Sequence, residues 1–201
     1  YNNLVTDGAV ANSQFGYTRS TFYEWGLTMN TRLSKNSNLL HFKYGVGFMY
    51  NMLHATDNRV FAEIGDKTVL VDAGVDTKAN KTYFKNVYFV VPMHLEFDFS
   101  KTSTVDDKKV FKSHKGARFG IGGFVGVNTN SKQFMRYNQD GHKISVRDKG
   151  DFNVNDFTYG LSTYIGYKQT SLYLKYDLNP MFKNNAVDQN NISLGIRFDW
   201  N

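Results

Sequence analysis

The stretch "VYFVVPMHLEFDF", residues 87–99, divides when read in twos. Val87, Phe89, Val91, Met93, Leu95, Phe97 and Phe99 fall on one side, and Tyr88, Val90, Pro92, His94, Glu96 and Asp98 on the other. Successive side chains of a strand point to opposite faces, so the segment predicts a β-strand with one apolar face and one face ending in three ionisable groups. A strand of a soluble sandwich also alternates, so the choice between sandwich and membrane sheet rests on whether the rest of the chain repeats the pattern.

Six further segments repeat it. Tyr23, Trp25, Leu27, Met29 and Leu33 oppose Glu24, Gly26, Thr28, Asn30 and Arg32. In residues 40–52, Leu40, Phe42, Tyr44, Val46 and Phe48 oppose His41, Lys43, Gly45 and Gly47. Phe119, Ile121 and Val125 oppose Arg118, Gly120 and Gly122, and Phe157, Tyr159, Leu161, Ile165 and Tyr167 oppose Gly160, Ser162, Tyr164 and Lys168. Leu172, Leu174 and Leu178 oppose Tyr173, Lys175 and Asp177. In the closing "NISLGIRFDW", Ile192, Leu194, Ile196, Phe198 and Trp200 oppose Ser193, Gly195, Arg197 and Asp199. Seven strands of about ten residues, each with a large apolar face and a face of glycine, charge and amide, match the length and dyad period of transmembrane β-barrel strands. Aromatic residues gather near the strand ends (Tyr23, Trp25, Tyr50, Phe99, Tyr167, Trp200), as an interfacial girdle requires. A sandwich would not place small glycines and opposite charges on its solvent face so consistently.

Composition agrees with that reading. The 201 residues include 17 Phe, 13 Tyr and 17 Gly against 2 Pro, yet hydrophobic residues make up only 41%. No apolar run approaches the ~20 residues of a membrane-spanning helix. The absence of cysteine excludes disulfides and thiolate metal sites.

Connection lengths orient the barrel. Those at about 34–38 and 169–170 are short, whereas 54–82 and 129–156 are long. Membrane barrels of this type have short periplasmic turns and long extracellular loops, which places the protein in the outer membrane of a Gram-negative bacterium with its C-terminus periplasmic. Within the second long connection, "QDG" at 139–141 predicts a hairpin turn between 132–137 and 142–147. Residues 101–116 break the rule, being long yet on the periplasmic side. They are expected to extend the flanking strands and to offer Lys108, Lys109, Phe111 and Lys112 to a partner, although a charge run is more often simply solvated. Single-chain bacterial barrels have even strand numbers. The chain therefore reads as one domain, 1–201, of an eight-stranded antiparallel up-and-down barrel with about seven strands complete. Residues 1–20 are expected as an extracellular loop, with the first strand upstream of residue 1.

The segments at 22–50, 53–61, 87–100, 118–127 and 173–200 together resemble the small outer-membrane β-barrels of Bacteroidetes-type bacteria, the PorT-like group. The resemblance spans most of the chain through strand patterns and turns, and it implies an eight-stranded outer-membrane barrel. The last strand resembles the signal read by the outer-membrane assembly machinery, a glycine followed by spaced aromatics: Gly195, Phe198 and Trp200. Asn201 after the terminal aromatic departs from that pattern.

An eight-stranded barrel is just wide enough for side chains to fill it. The inward list sets Glu24, Glu96, Asp98, Asp177 and Asp199 against Arg32, Lys43, Arg118, Lys168, Lys175 and Arg197. Near-balanced charge in a narrow tube predicts an ion-pair network more than a channel. Glu96 and Asp98 have acid–base spacing, and His41 and His94 face inward on neighbouring strands. Neither pair completes a catalytic or metal set, and His54, His114 and His142 read as solvated loop residues. "GIGGFVG" at 120–126 lies on a strand, where its glycines make room, and does not lead into a helix as a phosphate loop would. The leading expectation is a non-enzymatic anchor or accessory subunit of an envelope assembly, without cofactor. Its expected partners are outer-membrane lipid, lipopolysaccharide and the assembly machinery, with nucleic acid excluded. The alternatives are a lumenal or loop-mouth enzyme acting on lipid or peptide, and a narrow channel. The excess of 24 Lys+Arg over 18 Asp+Glu lies partly in Lys132, Arg136, Lys143, Arg147 and Lys149, where lipopolysaccharide phosphates would be neighbours.

Overall fold

Each alternating segment forms a strand. The computed structural model describes residues 1–201 except 7–8, 11–18, 75–78, 106–107, 186 and 201. Its strands are β1 (Asn2–Thr6), β2 (Ala9–Val10), β3 (Thr21–Arg32), β4 (Leu40–Leu53), β5 (Arg59–Ile64), β6 (Lys67–Asp72), β7 (Lys81–Asp98), β8 (Ser103–Val105), β9 (Lys108–Val110), β10 (Ala117–Gln139), β11 (His142–Lys149), β12 (Phe157–Tyr167), β13 (Thr170–Asp177) and β14 (Gln189–Phe198). The described residues contain no helix.

The long strands β3, β4, β7, β10, β12, β13 and β14 pair in chain order, all antiparallel, and β1 and β2 extend the sheet beyond β14. Residues distant along this meander meet on one face. Lys43 of β4 reaches Asp199 just beyond β14, and Lys175 of β13 reaches Glu24 of β3. The sheet is therefore rolled with that face inside. Its two edges approach at one end: the Asn2 amide donates to the Ser20 carbonyl over 3.1 Å, and a Cβ added to Gly195 would lie 2.8 Å from the Phe22 ring. No ladder joins β3 to β14 or to β1 among the described residues, so the roll is not closed by a continuous row of backbone hydrogen bonds.

Residues 1–20 are not all loop. Asn2–Thr6 pair with Ser193–Gln189 because Asn2, Asn3 and Leu4 bury completely and the Asn2 side chain accepts a hydrogen bond from Ser193 Oγ over 2.9 Å. Too short to show the alternation, this segment gave no strand signal in the sequence.

The outer face is apolar and exposed: Leu27 80%, Ile196 67%, Phe157 69% and Trp200 85%, with Leu95, Ile121, Leu161 and Leu172 also open. Single exposed apolar residues are ordinary on a soluble protein, but a continuous band over seven adjacent strands is not.

At the end of the roll bearing the long connections, hereafter the loop end, β5 and β6 form a hairpin that the sequence did not announce. The Phe61 amide and carbonyl bond to the Gln133 side chain over 2.6 and 3.0 Å, docking the hairpin on β10. The turn at Asp140–Gly141 has φ of 49° and 79°, the positive-φ pair that a tight hairpin needs. At the opposite end, the turn end, residues 101–116 do not extend β7 and β10 as expected. Ser103–Val105 pair instead with Lys108–Val110 as the separate β8–β9, and the Lys112 carbonyl accepts a bond from Asn38. The physical reason is local: Asp98 accepts the amides of Ser100 and His114 over 2.9 and 2.8 Å, drawing the base of the connection shut.

Candidate functional site

Inside the roll at the turn end lies a buried polar cluster built from the inward positions of β4, β7, β10, β12 and β14. Glu96 is its hub, fully buried. Its Oε2 takes Arg118 Nη1 at 3.0 Å and the Tyr164 hydroxyl at 2.7 Å, with Lys43 Nζ at 3.8 Å; its Oε1 takes His114 Nε2 and Asn30 Nδ2, each at 3.0 Å. Asp199 is the second hub, with Lys43 Nζ at 2.7 Å and bonds from Arg118 Nη1 and Arg197 Nε, each at 3.1 Å. Arg118 Nη2 also donates to Ser171 Oγ over 3.1 Å. Asp98 holds the adjoining loop through Ser100 and His114. Two carboxylates, Glu96 and Asp199, thus pair with Lys43, Arg118 and Arg197, while Asp98 is held by neutral donors. Such a cluster is retained only if every charge is compensated, because an unpaired ion in this setting is costly.

Glycine makes this geometry accessible. A Cβ on Gly120 would lie 2.2 Å from the Tyr164 ring, so Gly120 lets Tyr164 of β12 pass over β10 to Glu96 of β7.

Deeper in, Lys175 pairs with Glu24 and lies 3.8 Å above the Phe124 ring, while Asp177 accepts from Thr158 over 3.1 Å. His94 meets Ser162 Oγ at 2.8 Å and His41 meets the Asn38 carbonyl at 2.8 Å, so the two imidazoles have separate partners. Beyond them the interior turns apolar. Met49, Leu53, Phe84, Tyr88, Val90 and Phe124 line the wall, and the connections cover them with Phe61, Phe152, Val154, Met181 and Phe182. Phe84 contacts three of these rings, with centroids at 4.9 Å (Phe61), 5.3 Å (Phe152) and 5.8 Å (Phe182). Polar bonds stitch the cover together: Thr68 Oγ1 donates to the Phe152 carbonyl over 2.6 Å, and Asn185 bonds both backbone groups of Thr68 over 2.9 Å.

Of the expected charge set, the structure gathers Lys43, Glu96, Asp98, Arg118, Arg197 and Asp199 in one cluster, and Glu24, Lys175 and Asp177 further in. Two residues depart from expectation. Lys168 occupies the β12–β13 turn with φ 55°, exposed, because the strand ends at Tyr167. Arg32 is exposed at the end of β3, its guanidinium 3.8 Å from the centre of the Phe111 ring. His114, expected solvated, is 3% exposed and belongs to the cluster; its loop position gave no periodicity from which to read that. Lys112 is exposed and Phe111 half-buried under Arg32, while the side chains of Lys108 and Lys109 lie outside the described residues. Phe198 and Trp200 are exposed on the apolar face and Gly195 lies against Phe22.

Glu96, Asp98 and His114 place one ligand atom each within 4.8 Å of one another. Arg118 Nη1 is 3.2 Å from His114 Nε2 and 3.0 Å from Glu96, which fills the space a cation would need with a cation already present. The same saturation leaves Glu96 no free lone pair for general-base work.

No family model, curated protein or solved structure matches the chain.

Proposed function

We propose that the chain is a small outer-membrane β-barrel with a sealed interior, acting as a non-enzymatic anchor or accessory subunit of an envelope assembly. It is the kind of protein that the PorT-like resemblance implies. The observation that carries the reading is the pairing of opposites across one sheet: an exposed apolar outer face and an inner face that buries a cluster of ion pairs. In water the first would be an aggregation liability; in lipid it is the expected surface, with polar groups turned inside. Lipid also tolerates no unpaired backbone edge, so in the membrane the margin between β3 and β14 is expected to be covered by a further strand. The interior supports a scaffold over a channel or enzyme, since charge pairs fill one end, aromatic rings the other, and the candidate acid–base group is fully engaged.

Reconstitution tests this directly. Protein refolded into neutral phosphatidylcholine vesicles is expected to run as a compact band in an unheated denaturing gel and to add no steady conductance to a planar bilayer. Protein remaining in the aqueous phase would remove the membrane reading, and reproducible open-state current would remove the sealed interior. Extraction of a tagged copy in mild detergent is expected to bring an envelope protein with it. Recovery alone under several gentle conditions would count against the subunit role.

A further inference from the structure

Above the apolar band at the loop end, the outer face changes character, and a backbone irregularity causes it. The β7–β10 register shifts between Asn128 and Asn130, so that even-numbered residues of β10 take over the outer face from odd-numbered ones. Three cross-strand rungs result, continuous with the outer positions Val87 and Phe89 of β7. The first is Lys85–Lys132–Lys149, the second Tyr83–Phe134–Arg147, the third Lys81–Arg136–Ser145. Residues directly opposite in an antiparallel ladder have Cβ atoms about 5 Å apart, and like charges there are destabilising. Yet six of these nine positions are cationic, none is acidic, and no carboxylate lies within ion-pair distance of the six among the described residues. The aromatic pair at the centre, Tyr83 and Phe134, stacks at 5.1 Å, and Arg136 and Arg147 lie 5.3 and 5.8 Å from the Phe134 ring centre. The arrangement holds the cations up and leaves their charge uncompensated.

Beside the third rung is a hollow of about 290 Å³ lined by Arg19, His54, Asn80 and Lys81. His54 faces Arg19 and Lys81, and its ring lies tilted against Tyr83 with centroids 5.4 Å apart. Burial and those two cations hold its imidazole below the ordinary value.

We infer that this cationic, aromatic-centred face and its adjoining hollow bind the phosphorylated headgroup of a glycolipid in the outer leaflet. The inference rests on the membrane reading, which sets the patch at headgroup height immediately above the apolar band. Phosphate oxygens would meet ammonium and guanidinium donors across the rungs, and acyl chains would continue down over Val87 and Phe89. A bisphosphorylated headgroup suits the spread of charge across three strands better than a single small anion.

The test uses the full chain in nanodiscs of neutral phosphatidylcholine and in the same discs containing bisphosphorylated lipid A, with the labelled His54 ring followed by NMR. Lipid A is expected to raise the His54 pKa by about one unit, the usual response to an opposite charge arriving within a few ångströms. The doubly neutralised variant Lys132→Gln/Arg136→Gln should need roughly tenfold more lipid A for the same rise, and Lys112→Gln at the other end should behave as wild type. An unchanged His54 titration overturns the inference, as does a double variant that responds like wild type. If millimolar inorganic phosphate alone reproduces the full rise in neutral discs, the site belongs to a free anion and the lipid assignment is wrong. Insertion into neutral discs without a lipid A response removes only this inference, whereas failure to insert removes the membrane reading and the inference with it.

Discussion

The two ends of the interior solve the same packing problem with opposite chemistry. At the turn end, Lys43, Glu96, Arg118 and Asp199 fill the space with compensated charge. At the loop end, Phe84, Phe124 and Tyr88 fill it with rings that the connections cover. The difference follows from what each end has available. At the turn end two connections are short, and the longer one, residues 101–116, contributes the polar His114 to the cluster, so wall side chains must reach across, and long polar ones with fixed partners can do so. The loop end has long connections that supply Phe61, Phe152 and Phe182, and apolar burial needs no exact partner geometry. The ionic end should therefore be brittle to single changes and the aromatic end more gradual.

Arg118→Ala is expected to have the largest effect. It strands Glu96 and Asp199 without their shared guanidinium, at a cost of about 3–5 kcal/mol, read as a lower urea midpoint in reconstituted protein. Combining Arg118→Met with Glu96→Gln should recover part of that loss, because the abandoned charge is removed too. If the double variant is no better than the single one, compensation is not what holds this end.

Phe84→Ala comes next, at about 3 kcal/mol for a buried ring deleted among three others. It should also loosen the β5–β6 hairpin, raising protease cleavage in residues 59–72 while leaving the turn end protected. Equal cleavage at both ends would show that the ends are not separate packing units.

How legible each end was follows from the same contrast. The walls, including the inward set from Lys43 to Asp199, were readable because a two-residue period with charge on one side admits few folds. The cover was not, since Phe61, Phe152 and Phe182 lie in connections without periodicity and their docking depends on Gln133, Thr68 and Asn185 far away in sequence. His114 was hidden for that reason, and the outward turn of Lys132 was hidden behind the register shift at Asn128, which no residue type advertises.

Smaller effects refine the picture at the rims. Phe111→Ala, which removes the ring beneath Arg32, should cost about 0.5–1 kcal/mol, and a loss several times larger would mean that the β8–β9 connection is part of the core. His54 should contribute the gentlest signal, a pH dependence. Its pKa is lowered in the fold, so the unfolded chain binds the proton more readily; the contribution is fully present above the ordinary value of 6.5 and declines as pH falls below it toward the folded pKa. His54→Gln should flatten that slope in neutral lipid, and an unchanged slope would place its origin elsewhere.

The most direct measurement of the central claim uses the chain's two tryptophans, Trp25 and Trp200, 61% and 85% exposed on the apolar face near opposite ends of the roll. With Trp25→Phe and Trp200→Phe to isolate each, emission is recorded in vesicles whose acyl chains carry bromine at shallow or deep positions. If the outer face lies in lipid, both indoles shift to the blue and are quenched, more by shallow bromine than by deep, as side chains at the two interfaces should be. Red emission from both, unaffected by bromine at any depth in folded protein, would contradict a lipid-facing sheet.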